Sequence, residues 1–189
     1  MYFVSDRTGW WNLYRLGVGG GVEPIHPMRA EFGKPQWSFS MVTYAFIGPT
    51  RIAATYVAGG RWRLALIETD PRKFEPIDLA LQPTESIRAD ARNIYFVGGS
   101  ATVPTAVARV SLGVMEAEVL RSSTSEAIAP EWISAADAVT FRVTPQHQGP
   151  GPHMGEPPPP RDVHAFYYAP RNPDVTAPAG EKPPLKPLN

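Results

Sequence analysis

Two glycine-rich segments come close to patterns that chemistry uses. Gly98-Gly99-Ser100-Ala101-Thr102 approaches the Gly-x-Ser-x-Gly elbow, in which a strained strand-to-helix turn exposes a nucleophilic serine. Thr102 stands where the closing glycine belongs and no helical period follows, so a hairpin turn accounts for the glycines and Ser100 is not assigned as a nucleophile. Gly17-Val18-Gly19-Gly20-Gly21 imitates a dinucleotide-binding loop. Val22 replaces its last glycine and Glu23-Pro24 follows where a helix should open, so it reads as a loop between strands.

The remaining reactive side chains are scattered. His26, His147, His153 and His164 lack the i, i+4 or paired-Cys spacing of zinc sites, so no metal is assigned. Glu68 with Asp70, and Glu116 with Glu118, place carboxylates two apart, where one strand face could carry an acid and a base. Beside turns such pairs are usually solvated. Trp10, Trp11, Trp37, Trp62 and Trp132 could stack on sugars, but Trp11 and Trp62 each stand two residues before a strand leucine (Leu13, Leu64), which points to a repeated packing role. The assignment is therefore no catalytic residue, no cofactor and no metal, with substrate-binding residues unknown.

What must position these residues is a repeat. Tyr2, Ala53 and Tyr95 mark equivalent points, giving periods of 51 and 42 residues, close to the ~40 to 50 residues of four-stranded propeller blades. Each copy runs from an apolar strand (Tyr2 to Val4, Ile52 to Val57, Ile94 to Val97) through a glycine-containing turn to a second strand. An outer strand follows at Glu23-Pro24-Ile25, Glu75-Pro76-Ile77 and Ala117 to Leu120. Proline in the first two fits an edge strand, which can lose a ladder donor. Copies two and three are preceded by inner strands at Val42 to Ile47 and Ser86 to Ala89, whereas only Met1 precedes copy one, so the first blade lacks its inner strand. Ile94-Tyr95-Phe96-Val97 reads as buried on both faces, whereas the alternating Arg61 to Leu66 predicts one wetter face.

The 189 residues are 43% hydrophobic, enough for one core. Eighteen Lys+Arg balance 18 Asp+Glu without a basic cluster, which argues against nucleic acid or anionic membrane as a partner. Cysteine is absent, which leans toward a reducing, cytoplasmic setting. Residues 145–189 hold 13 of the 22 prolines, too many for a helix or central strand. Within them, Val163 to Tyr168 reads as a strand opening another domain.

Ser5-Asp6-Arg7-Thr8-Gly9 with Asn12-Leu13-Tyr14-Arg15-Leu16 resembles the blade signature of the prolyl oligopeptidase family, in its acylaminoacyl-peptidase and dipeptidyl aminopeptidase-like branch. Ala30 to Trp37, His164 to Asp174 and Gly180 to Leu185 resemble it further. The resemblance implies the C-terminal part of an all-β propeller of four-stranded antiparallel blades, followed by the link to an α/β-hydrolase domain. It divides the chain into a partial propeller at 1–143 (incomplete first blade, blades around 38–82 and 84–123, exit segment 124–143), a Pro-rich loop at 144–162 and the start of a truncated hydrolase domain at 163–189. It implies a parent serine peptidase that cleaves short peptides, with the propeller gating access. The Gly-x-Ser-x-Gly elbow occurs nowhere in the chain, so the chain alone is expected to be inactive. The alternative is a stand-alone, propeller-like protein-binding module. In either case open sheet edges invite self-association.

Overall fold

The computed structural model describes residues 1–37, 39–144 and 159–182. The chain divides into two compact units, Met1–Ala127 and Ile128–Asn189.

The first unit is three antiparallel sheets in sequence order. Blade 1 is β1 (Tyr2–Ser5), β2 (Asn12–Leu16) and β3 (Val22–Pro24). Blade 2 is β4 (Tyr44–Phe46), β5 (Arg51–Ala58), β6 (Arg61–Thr69) and β7 (Arg72–Ile77). Blade 3 is β8 (Gln82–Ala89), β9 (Asn93–Gly99), β10 (Ala106–Ser111) and β11 (Ala117–Ser122). Each blade is a plain meander, and blade 1 lacks the inner strand that β4 and β8 supply to the others, as the repeat predicts. Pro24 and Pro76 lie on the outermost strands β3 and β7, where a missing N–H leaves no gap in a ladder. The isoleucines beside them, Ile25 and Ile77, turn into the core.

Two apolar clusters join the blades. Leu13, Ile25, Ala30 and Phe32 of the first repeat pack on Ile52, Ala54, Tyr56, Ala65 and Ile67 of blade 2. Ala53, Leu64, Leu66 and Ile77 of blade 2 pack on Ile87, Ile94, Phe96, Ala108 and Val110 of blade 3. Each fully buried Leu, Ile or Phe contributes about 1.5–3 kcal/mol. Neighbouring residues of β6 thus serve opposite cores, and from Leu64 onward the strand is buried on both faces. This corrects the expectation of one wetter face, which holds only for Arg61-Trp62-Arg63. The reverse correction falls on β9: Ile94 and Phe96 are buried, while Tyr95 and Val97 are half-exposed. Burial of a face is set by whether a neighbouring blade covers it, and blade 2 is the one flanked on both sides.

The second unit contains a 3-10 turn at Pro130–Trp132 and two long strands, β12 (Ala136–Val143) and β13 (Arg161–Tyr168). They pair antiparallel along their full length, from Ala136 opposite Tyr168 to Val143 opposite Arg161. The sequence suggests an exit segment of the propeller at 124–143 and a next strand from Val163. The structure instead makes Ala136–Val143 the partner of that strand and starts it at Arg161. Most of the Pro-rich loop, with His147 and His153, lies outside the described residues, as do residues 183–189. No α-helix occurs among the described residues, and no helix there is long and apolar enough to cross a membrane.

Candidate functional site

The antiparallel order brings one set of connections to a common end of the first unit. These are the β1–β2, β5–β6 and β9–β10 turns, the crossings from β3 to β4 and from β7 to β8, and the point where the chain leaves β11. Hydrogen bonds tie this end together. The backbone N–H of Trp11, just before β2, donates to Glu31 Oε2 at 2.8 Å, and that of Trp62 in β6 donates to Gln82 Oε1 at 3.1 Å. Both acceptors stand 20 residues downstream of their tryptophan. The same latch is therefore repeated at the blade 1–2 and blade 2–3 junctions. The shared element is the backbone N–H at the two equivalent positions, not the indole rings.

The signature residues act here as connectors. In the β1–β2 turn Gly9 adopts φ +84° and donates to Asp6 O, Thr8 and Tyr14 share a hydroxyl hydrogen bond of 2.8 Å, and the Arg7 guanidinium lies over the Tyr14 and Phe3 rings. Buried Asn12 donates to the Trp10 and Met28 carbonyls and accepts from Met28 N–H, clamping the crossing from β3. A Cβ on Gly33 would stand 2.3 Å from the Trp11 ring, so glycine is needed for that contact. The Lys34 ammonium lies over the Trp62 ring and donates to the Thr84 carbonyl at 3.1 Å. Beyond it, Trp37 and Phe39 are 88% and 102% exposed.

An open cleft of about 420 Å³ lies at this end, lined by Gln82, Thr84, Gly99, Ser100, Val103, Pro104 and Thr105. Ser100 is in it, but its Oγ accepts the N–H groups of Val103 and Thr102 at 3.1 and 3.3 Å. That is a serine turn closing the β9–β10 loop. Among the described residues no histidine or carboxylate lines the cleft, so none of them is placed there to take a proton from the hydroxyl. Gly98 and Gly99 are explained by close approach: a Cβ on Gly98 would lie 2.0 Å from the Gln82 carbonyl oxygen.

The other weighed residues are also held in structural contacts. The Gly17 N–H donates to Gly21 O across the β2–β3 loop, and Gly20 has φ +81°. Arg51 Nε lies 2.9 Å from Glu68 Oε1, an ion pair out of line for a hydrogen bond, while Glu118 pairs with Arg109. Neither carboxylate is left free to act with its neighbour at i, i+2. His26 stacks on Phe74 with ring centroids 4.3 Å apart, and burial lowers its pKa. His164 Nδ1 meets the Thr140 hydroxyl at 2.9 Å across the β12–β13 pair. Among the described residues no three His, Cys, Asp or Glu side chains gather as metal ligands. Glu23, between Arg15 and Arg72, has its pKa lowered chiefly by the Arg15 hydrogen bond. It links the outer strands of blades 1 and 2.

Three meander sheets, each facing the next across a dry core, make the first unit a stretch of β-propeller. No protein-family model and no curated protein matches the chain, but solved structures do. A puromycin-hydrolysing peptidase of Mycobacterium tuberculosis superposes with a TM-score of 0.80 at 29% identity, over 97% of this chain and 26% of that one. A puromycin hydrolase gives 0.80 at 22% identity, over 97% and 26%. A prolyl endopeptidase gives 0.51 at 14% identity, over 74% and 20%, a likeness of fold alone. The chain is thus similar to the propeller portion of puromycin-hydrolysing peptidases, in the prolyl oligopeptidase family, as its signature residues indicate. It spans about a quarter of the length of the peptidases it matches.

Proposed function

We propose that the chain is the non-catalytic propeller part of a serine oligopeptidase, and that its blades gate the access of short peptides or aminoacyl amides to a hydrolase domain. The observation that carries this is the match over 97% of the chain to 26% of a puromycin-hydrolysing peptidase. The engaged Ser100 Oγ supports a non-catalytic role. The gating surface would be the end where the turns, the crossings and the chain's exit from β11 meet. Its polar cleft and the exposed Trp37 and Phe39 suit passing peptide groups better than a tightly held cofactor. Acylaminoacyl or dipeptidyl specificity is part of the same proposal, supported by the resemblance of the signature residues, as is a cytoplasmic setting, toward which the cysteine-free composition leans. Purified chain incubated with puromycin and with aminoacyl and dipeptidyl chromogenic amides should show no turnover. Turnover accompanied by serine-directed labelling of Ser100 would refute the proposal.

A further inference from the structure

The junction of blades 2 and 3 carries a positive charge that no carboxylate among the described residues meets. The ion pairs there engage Arg15, Arg51, Arg72, Lys73 and Arg109, and Lys34 is in none of them. Its side chain is nonetheless held in one place. The ammonium donates to the Thr84 carbonyl at 3.1 Å and lies 5.8 Å from the centre of the Trp62 ring. Gly33 packs against the Trp11 ring just before it, and the Gln36 amide donates to the Lys34 carbonyl at 3.3 Å. An ammonium has three N–H donors; the Thr84 carbonyl takes one, and the ring attracts the charge through its face. An N–H is therefore left for a ligand, at a position already fixed before the ligand arrives.

Thr84, whose carbonyl holds the ammonium, lines the cleft together with Gln82, two residues before it on β8. Gln82 accepts the Trp62 N–H through Oε1, which leaves its amide nitrogen as a second donor, without a partner among the described residues. A cationic donor and a neutral one, with no carboxylate among the described lining residues, suit a singly charged acceptor with two oxygens. No arginine and no helix N-terminus stands among those lining residues, which disfavours a phosphate. We propose that Lys34 and Gln82 form a receptor for the terminal carboxylate of a short peptide lying in the cleft of about 420 Å³. The proposal rests on the gating reading and deepens it: peptides are chosen by a free chain end, which an internal loop of a folded protein lacks.

Trialanine and trialanine amide differ only in the charge of the terminal group, and titrating each into the purified, 15N-labelled chain tests the site. The backbone amide signals of Trp62 and Thr84 should shift saturably with trialanine, and trialanine amide should bind about tenfold more weakly. Lys34→Gln should remove that difference, while Lys34→Arg, which keeps a cation over the Trp62 ring, should retain it. Gln82→Glu keeps the acceptor for the Trp62 N–H and sets a carboxylate against the ligand, so it should weaken trialanine and leave the amide unchanged. Equal binding of acid and amide, no saturable shift with either, or a difference that survives Lys34→Gln would overturn the proposal. So would acetate or inorganic phosphate binding as tightly as trialanine, since the site would then receive anions in general. Such failure leaves the absence of turnover untouched, whereas turnover with labelled Ser100 refutes the gating reading whatever trialanine does.

Discussion

The tryptophan latch turns an irregular-looking crossing into a repeated device. The Trp62 N–H is part-buried, and Gln82→Ala would leave it without its acceptor, at a cost of about 1–2 kcal/mol. Glu31→Ala, at the exposed copy, should cost less, because water replaces the lost acceptor. Urea unfolding of the two variants checks the order. His26 gives a pH signature. Burial lowers its folded pKa, so the unfolded chain, near 6.5, takes up the proton first. Stability present above about pH 6.5 is therefore lost as pH falls through the folded value. His26→Phe keeps a ring on Phe74 and removes the proton site. Its unfolding midpoint should change less than wild type between about pH 8 and pH 5.5, before most carboxylates titrate.

At the scale of strands, the two faces of β6 make a direct test. Leu66→Ala and Ile67→Ala open cavities in different cores, and each should cost about 2–5 kcal/mol in denaturant unfolding. On a strand with one wet face, one of the two neighbours would be tolerated. The existence and order of the eleven blade strands were legible from the repeat, because Glu-Pro-Ile and the turn glycines mark strand ends by local chemistry. Which faces were dry was not legible. Ile94-Tyr95-Phe96-Val97 is apolar throughout yet half-exposed on one side, and Arg61 to Leu66 alternates yet becomes buried at Leu64, because a distant blade decides the matter. The strand Ala136–Val143 escaped detection for a related reason. Its partner begins at Arg161, across a proline-rich stretch that reads as a boundary. The structural duty of Ser100 was readable from the missing glycine at Thr102. The Gln82 latch was not, since a lone glutamine opening a strand carries no local signal.

The whole molecule separates a dry unit from a wet one. Every buried apolar residue among those described lies between Leu13 and Val110, and none lies in the second unit. A chain cut after Ala127 should keep the urea midpoint of the intact protein at the same pH. A peptide of residues 128–189 should show no cooperative transition, since a two-stranded sheet is marginal in water. Loss of cooperativity in the 1–127 chain would show that the units are not independent. The shared core has a further consequence for the growing polypeptide. On the ribosome, the sheet of β1–β3 cannot fully bury Leu13 and Ile25 when it emerges, because the surface they pack on includes Ile52, Tyr56 and Ile67, translated later. The middle sheet in turn waits for Val110. Each sheet is thus matured by the one made after it, and a stall before the third leaves greasy, half-finished surface exposed to chaperones and proteases.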